Sequence, residues 1–227
     1  SLEESEAASA ESGWLARPLV AREGERLLAA SPVYVKGNSE GEFVFDHAWA
    51  SHAEGRLGID YYPKIVVAVP FTPATGPRLL VSAGADRELV TRAFAQGLGA
   101  LAERIGASSA HVLFPPGDEA DLLEAAGMAR RAGLQFHWEN AGYASFDDFL
   151  GGFSSKKRHQ LRRERREAAS EGLVFESLLG KELSSARIDA VYELYLTTVD
   201  KLVWGRRYLT RDFFHEVCSK LGESVQV

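Results

Sequence analysis

The segment KIVVAVPFTPATGPRLLV, residues 64–81, decides how this sequence folds. It opens on an unbroken β-branched run with no polar alternation, the pattern of a strand covered on both faces. A strand from about Lys64 to Val69 is therefore expected. A loop of prolines, threonines and a glycine follows, and then a short strand over Leu79 to Val81. Such a strand needs partners on both sides and cover above and below, which the flanking sequence must supply.

Upstream, residues 14–36 alternate and break at Glu23-Gly24-Glu25, a turn signal between two strands. GEFVFDHAWA, residues 41–50, is rich in aromatics and reads as a third short strand. The first residues, SLEESEAASAESGW, read as the tail of a helix. Downstream, Asp86 is placed to cap a helix running to about Ile105. Leu89, Val90, Phe94, Leu98 and Leu101 share one face of it. SAHVLF (109–114) is a second buried-type strand. PPGDEADLLEAAGMARRAGL (115–134) is a helix with Pro-Pro-Gly ahead and Gly133 behind, and LQFHWENAGY (134–143) is a further strand. The plan is mixed α/β, in the α+β sense, with a change of character near residue 145. Beyond it come a short helix capped by Ser145, a basic helix over 154–171, a strand at LVFESLL, a helix over 184–202 and a last helix from about Arg211.

The bulk numbers exclude several classes. Hydrophobic residues make up 45% and charged residues 26% of the 227, which is ordinary for a globular protein. The single cysteine, Cys218, excludes an internal disulfide or a cysteine zinc site. No apolar run approaches a membrane span, and the N-terminal residues lack the basic-then-apolar order of a signal peptide, so a cytoplasmic protein is expected. The six histidines never pair at helical ligand spacing, so no metal is expected. GLGALA, residues 97–102, falls inside an amphipathic helix instead of at a strand-to-helix turn, and reads as close packing. No Walker loop or nucleophile elbow is present.

Three groups of residues carry candidate chemistry. Residues 156–166 hold seven Lys/Arg against one Glu, a local +6 in a chain of net charge −6. So many like charges in three turns repel one another, and a polyanionic partner relieves that repulsion. Lys157, Arg158, Arg162 and Arg163 are the candidate phosphate-binding residues. The loop after the central strand offers Thr72, Thr75, Gly76 and Arg78 as substrate-binding groups. Asp46 and His137 are candidate general bases, with Trp138 and Asn140 on the opposite face from His137 as further substrate contacts. For each the plain structural alternative stands beside it: a solvated helix, a rigid loop, a hydrogen-bonded core histidine.

GEFVFDHAWA, YYPKIVVAVPFTPATGPRLLV, LQFHWENAGYASFDDFL and SSKKRHQLRRERREAASEGL, in this order, resemble the FemAB-like bacterial N-acyltransferases, relatives of the peptidoglycan-bridge aminoacyl ligases. YELYLTTVDKLVWGRRYLTRDFF resembles the segment that follows the basic helix in those ligases. The resemblance implies tandem GNAT-like domains, a mixed sheet flanked by helices over 1–145 and a second, incomplete unit over 146–227. It implies transfer of an acyl or aminoacyl group to an amine in cell-envelope precursor metabolism. FTPATGPRLLVSAGAD departs from the Arg/Gln-x-x-Gly-x-Gly/Ala turn with which GNAT enzymes hold a CoA pyrophosphate. CoA binding by the first domain is therefore not expected; no cofactor is expected to be bound tightly, and acyl-CoA or aminoacyl-tRNA is the implied donor substrate. A small or phosphorylated precursor, or tRNA but not DNA, is the implied partner. A non-catalytic module binding such a precursor or RNA through the basic helix is the alternative.

Overall fold

The computed structural model describes residues 2–172, 174–203 and 205–227. Its centre is β5 (Lys64–Val67), the strand anticipated above, though it stops two residues early. The sheet order is β1 (Leu15–Ala16), β4 (Val33–Lys36), β5, β7 (Ala110–Val112). β4 pairs antiparallel and β7 parallel to β5. Side-chain alternation along β5 feeds two cores. Ile65 and Val67 join Ala29, Val33, Val90, Phe94, Leu98 and Leu123 on one face, and Val66 and Ala68 join Trp14, Tyr34 and Leu113 on the other. That double burial explains the unbroken apolar run.

β2 (Leu19–Glu23) and β3 (Arg26–Ser31) form the hairpin expected around Gly24, and β6 (Leu80–Val81) adds to β3 as a second sheet. The crossover from β5 to β7 carries α2 (Arg87–Ile105), started by Asp86, whose carboxylate accepts from the Leu89 amide at 3.1 Å. α3 (Gly117–Ala125) stops well short of Gly133, because Gly127, at φ 96°, already turns the chain. After it, α4 (Phe146–Gly151), α5 (Ser155–Ser170), α6 (Ser185–Asp200) and α7 (Arg211–Lys220) follow the expected order, the first three each begun by a serine cap and α7 by Thr210. The chain between α6 and α7 touches the first part through Tyr208, whose ring stacks on Phe71 at 4.9 Å, and through Thr210, whose hydroxyl donates to Ser5 O.

Four expectations are corrected. GEFVFDHAWA is not a strand: Phe43 and Phe45 take positive φ, and α1 (His47–His52) begins behind Asp46 and passes into a π-helical turn over Ala53–Leu57. LQFHWENAGY is irregular chain, with no ladder partner among the described residues. LVFESLL contributes only the bridge of Leu179 to Gln226, with Leu173 outside the described residues. Residues 2–13 form turns instead of a helix end, with Ala7 and Ala8 buried.

Candidate active site

β4 and β5 place two lysines directly opposite each other, Lys36 against Lys64. Like charges facing across a ladder are unfavourable, and both side chains are fully buried. The chain between β4 and α1 supplies the compensation. Lys64 Nζ donates to Asp46 Oδ2 at 2.6 Å, Ser39 Oγ at 2.7 Å and Glu42 Oε2 at 2.9 Å. Tyr61 donates to the same Asp46 oxygen at 2.7 Å. Lys36 Nζ donates to Glu40 O and lies 3.6 Å from the centroid of the Trp14 ring, with Glu42 at 4.0 Å. Burial pushes Asp46 upward, but hydrogen bonds from Lys64, Ser39 and Tyr61 outweigh it and hold the carboxyl well below the usual range. Glu42 goes the other way, raised by burial that Lys64 only partly offsets. Burial lowers Lys36 to about 8.

That last shift has a stability consequence. The folded state holds Lys36 less protonated than the unfolded chain, whose lysine titrates near 10.4, so stability is expected to rise with pH between about 8 and 10. Urea midpoints at the two ends of that window should differ in the native sequence and converge in Lys36→Met, which keeps the packing on Trp14.

Asp46 also lines a cleft of about 610 Å³. The cleft runs along the free edge of β7, between the 43–46 loop, α3 and the chain over 128–135. Its walls bring Phe43, Phe45, Thr75, His111, Phe114 and Arg131 together with Asp46. Three of those walls are strained: Phe43, Phe45 and Phe114 take φ values of 59°, 50° and 53°. A bulky side chain in the left-handed region costs on the order of 1–2 kcal/mol, and such residues gather at functional sites. Gly41, at φ 76°, is required beside them, since a Cβ there would stand 2.6 Å from the Phe71 ring. Asp46 Oδ1 is buried without a hydrogen-bond partner. His111 shares its Nε2 with Ser109 Oγ at 2.8 Å; burial first, then Lys64, lowers it to about 4, so it is neutral at physiological pH.

The FemAB-like family model, described as peptidoglycan biosynthesis/recognition, matches residues 1–227, the whole sequence. The chain belongs to the FemAB-like family. No curated protein and no solved structure matches it.

Within this FemAB-like chain the candidate residues separate. Asp46 and Thr75 share the cleft. His137 does not line it; it is exposed and bonded to Gln135. Trp138 is exposed, against Phe149, and Asn140 closes its own turn by accepting from the Gly142 and Tyr143 amides. Thr72 likewise accepts from the Ala74 amide. Arg78 is a staple within the fold: at 2% exposure, its Nε, Nη1 and Nη2 donate to the carbonyls of Leu113, Gly76 and Ala74. Gly76 belongs to the same staple, its amide donating to Phe114 O. Lys157, Arg158, Arg162 and Arg163 stand on α5, which buries no residue. Sequence reasoning missed Lys36, Lys64 and Glu42. The available signal was a lysine closing VYVK and another opening KIVV, each next to strictly apolar neighbours. Among the described residues no helix is long and apolar enough to cross a membrane, and no cluster of acidic, His or Cys side chains has metal-site geometry.

Proposed function

We propose that this FemAB-like chain carries the acceptor side of an N-acyltransferase, moving an acyl or aminoacyl group onto an amine of a peptidoglycan precursor. Membership of a peptidoglycan biosynthesis/recognition family supports the setting. The observation that carries the chemistry is Asp46, a buried carboxylate held ionised by Lys64, with one oxygen unpartnered, at a position that lines the cleft. A carboxylate held that low is a poor general base and a good acceptor for the N–H of a neutral amine. Asp46 thus orients the amine. Access to its free oxygen requires the Phe43–Phe45 wall to give way, and strain already stored in that wall lowers the cost of opening it.

In the reaction the amine nitrogen attacks the donor carbonyl and the C–N bond forms. The bond to the thiol or hydroxyl leaving group breaks, and the amine's proton ends on that leaving group. His111, neutral and on the cleft wall, is the side chain suited to relay it. In the same reading, residues 1–145 and 146–227 are two acyltransferase-like units, the donor being acyl-CoA or aminoacyl-tRNA. The test is product formation, read by mass spectrometry, from acetyl-CoA or a charged tRNA and an amine-bearing precursor peptide. Asp46→Asn is expected to raise the acceptor KM about ten- to a hundredfold, the loss of one charge-assisted hydrogen bond. No amide product from either donor, or an unchanged KM, overturns the proposal. Precursor binding without turnover would favour a recognition module instead.

A further inference from the structure

The cleft leaves α5 unused. Its seven cations over 156–166 meet little compensation: Arg162 pairs with Asp147 at 2.8 Å and Arg163 with Glu167 at 3.5 Å. No described carboxylate is within ion-pair distance of Lys156, Lys157, Arg158 or Arg166. At 3.6 residues per turn, all seven except Lys157 fall within one half of the helix circumference. The helix is also joined to an apolar neighbourhood. Arg165 lies 4.2 Å over the Phe146 ring, and Phe149 gathers Trp138, Tyr143, Phe146 and Phe153 around itself at 5.0–6.4 Å. Just before that cluster Leu134 and Phe136 are 82% and 95% exposed, and just past the helix Val174 and Phe175 are 85% and 84% exposed.

We propose that α5 and its apolar flanks dock this protein onto a bilayer surface carrying anionic lipid. The cations meet phosphate headgroups, and Trp138, Phe136, Leu134, Val174 and Phe175 enter the interface. A run of four to eight Lys/Arg on one helix is the electrostatic signature of such docking, and aromatic side chains favour the headgroup level. Nucleic acid offers the same phosphates, but aliphatic Leu134 and Val174 have nothing to stack on a base. They do gain from an acyl boundary.

The experiment is co-sedimentation of the protein with phosphatidylcholine vesicles, with and without phosphatidylglycerol, at low and high salt. Binding is expected only to the anionic vesicles and to weaken with salt. Each neutralised cation should lower the partition coefficient about fivefold, so Lys156→Gln with Arg163→Gln and Arg166→Gln should cost about a hundredfold. Trp138→Ala should weaken binding at high salt, where the apolar contribution dominates, and circular dichroism checks that both variants fold. Equal binding to neutral vesicles overturns the proposal, and so does absence of binding at low salt in the native sequence. Salt-sensitive capture of single-stranded RNA without vesicle binding overturns it in favour of a nucleic-acid surface.

Discussion

Replacing Lys64 with methionine is expected to destabilise the protein by about 3–5 kcal/mol, the cost of leaving a buried partner charge uncompensated. Lys64 donates to Asp46, Glu42 and Ser39 at 2.6–2.9 Å, and all the charged atoms involved are shielded from solvent. Methionine has the volume of the stem but no charge, so the loss is electrostatic more than steric. The pH dependence identifies the mechanism. In the native sequence the Asp46 carboxyl is depressed, so its contribution is complete above the unfolded value near 3.9 and is lost as pH falls below it. In Lys64→Met both carboxyls are raised by burial, and the sign reverses: stability falls as pH climbs from about 4 to 7. Adding Glu42→Gln to Lys64→Met should recover part of the loss, a coupling that urea titration of the double-mutant cycle measures directly. A pH-independent loss in Lys64→Met would mean that packing, not charge, holds the 39–46 loop.

Helix positions were legible because local chemistry marks them. Asp86, Ser145 and Ser154 each accept from an amide three residues on, and each bond is local in sequence. β5 was legible because burial on both faces leaves an uninterrupted apolar run. GEFVFDHAWA was misread because its aromatic alternation fits a strand, while its real conformation is set by a distant group. Asp46 and Glu42 must reach Lys64, about twenty residues on, and the chain bends at Phe43 and Phe45 to allow it. α3 was overextended because DEADLLEAAGMARRAG keeps helical spacing beyond Gly127, and only the tertiary course ends it there. The cleft was half-legible: Asp46 and Thr75 were named as candidates, but in separate segments. No local pattern says that β7 lays His111 beside them, because that neighbourhood is created by the parallel pairing of Ala110–Val112 with Ile65–Val67.

Arg78 yields the second large effect, and it separates two readings of one residue. If the guanidinium serves a ligand, Arg78→Met leaves stability intact and weakens binding. The geometry predicts the reverse. Its three donor nitrogens meet the carbonyls of Leu113, Gly76 and Ala74 at 2.6–2.8 Å. Its backbone is held as well, the amide by Glu119 at 3.0 Å and the carbonyl by the Ser31 hydroxyl at 2.7 Å. Methionine leaves those three carbonyls without their donor, the Leu113 one buried, and Arg78→Met is expected to lose about 2–4 kcal/mol in urea unfolding. Arg78→Lys should recover little, because an ammonium presents its donors from one point and cannot span three carbonyls set around a planar fork. The damage should spread along a defined route. Leu113 adjoins strained Phe114, and Gly76 donates its amide to Phe114 O, so amide exchange at Gly76 should quicken in Arg78→Met. Thr75 and Phe114 line the cleft, so the acceptor KM should rise with that exchange rate while the Lys64–Asp46 pair keeps its pH signature. A variant of native stability with lost binding would return Arg78 to the ligand and leave the cleft wall to be held by the backbone bonds to Glu119, Ser31 and Phe114.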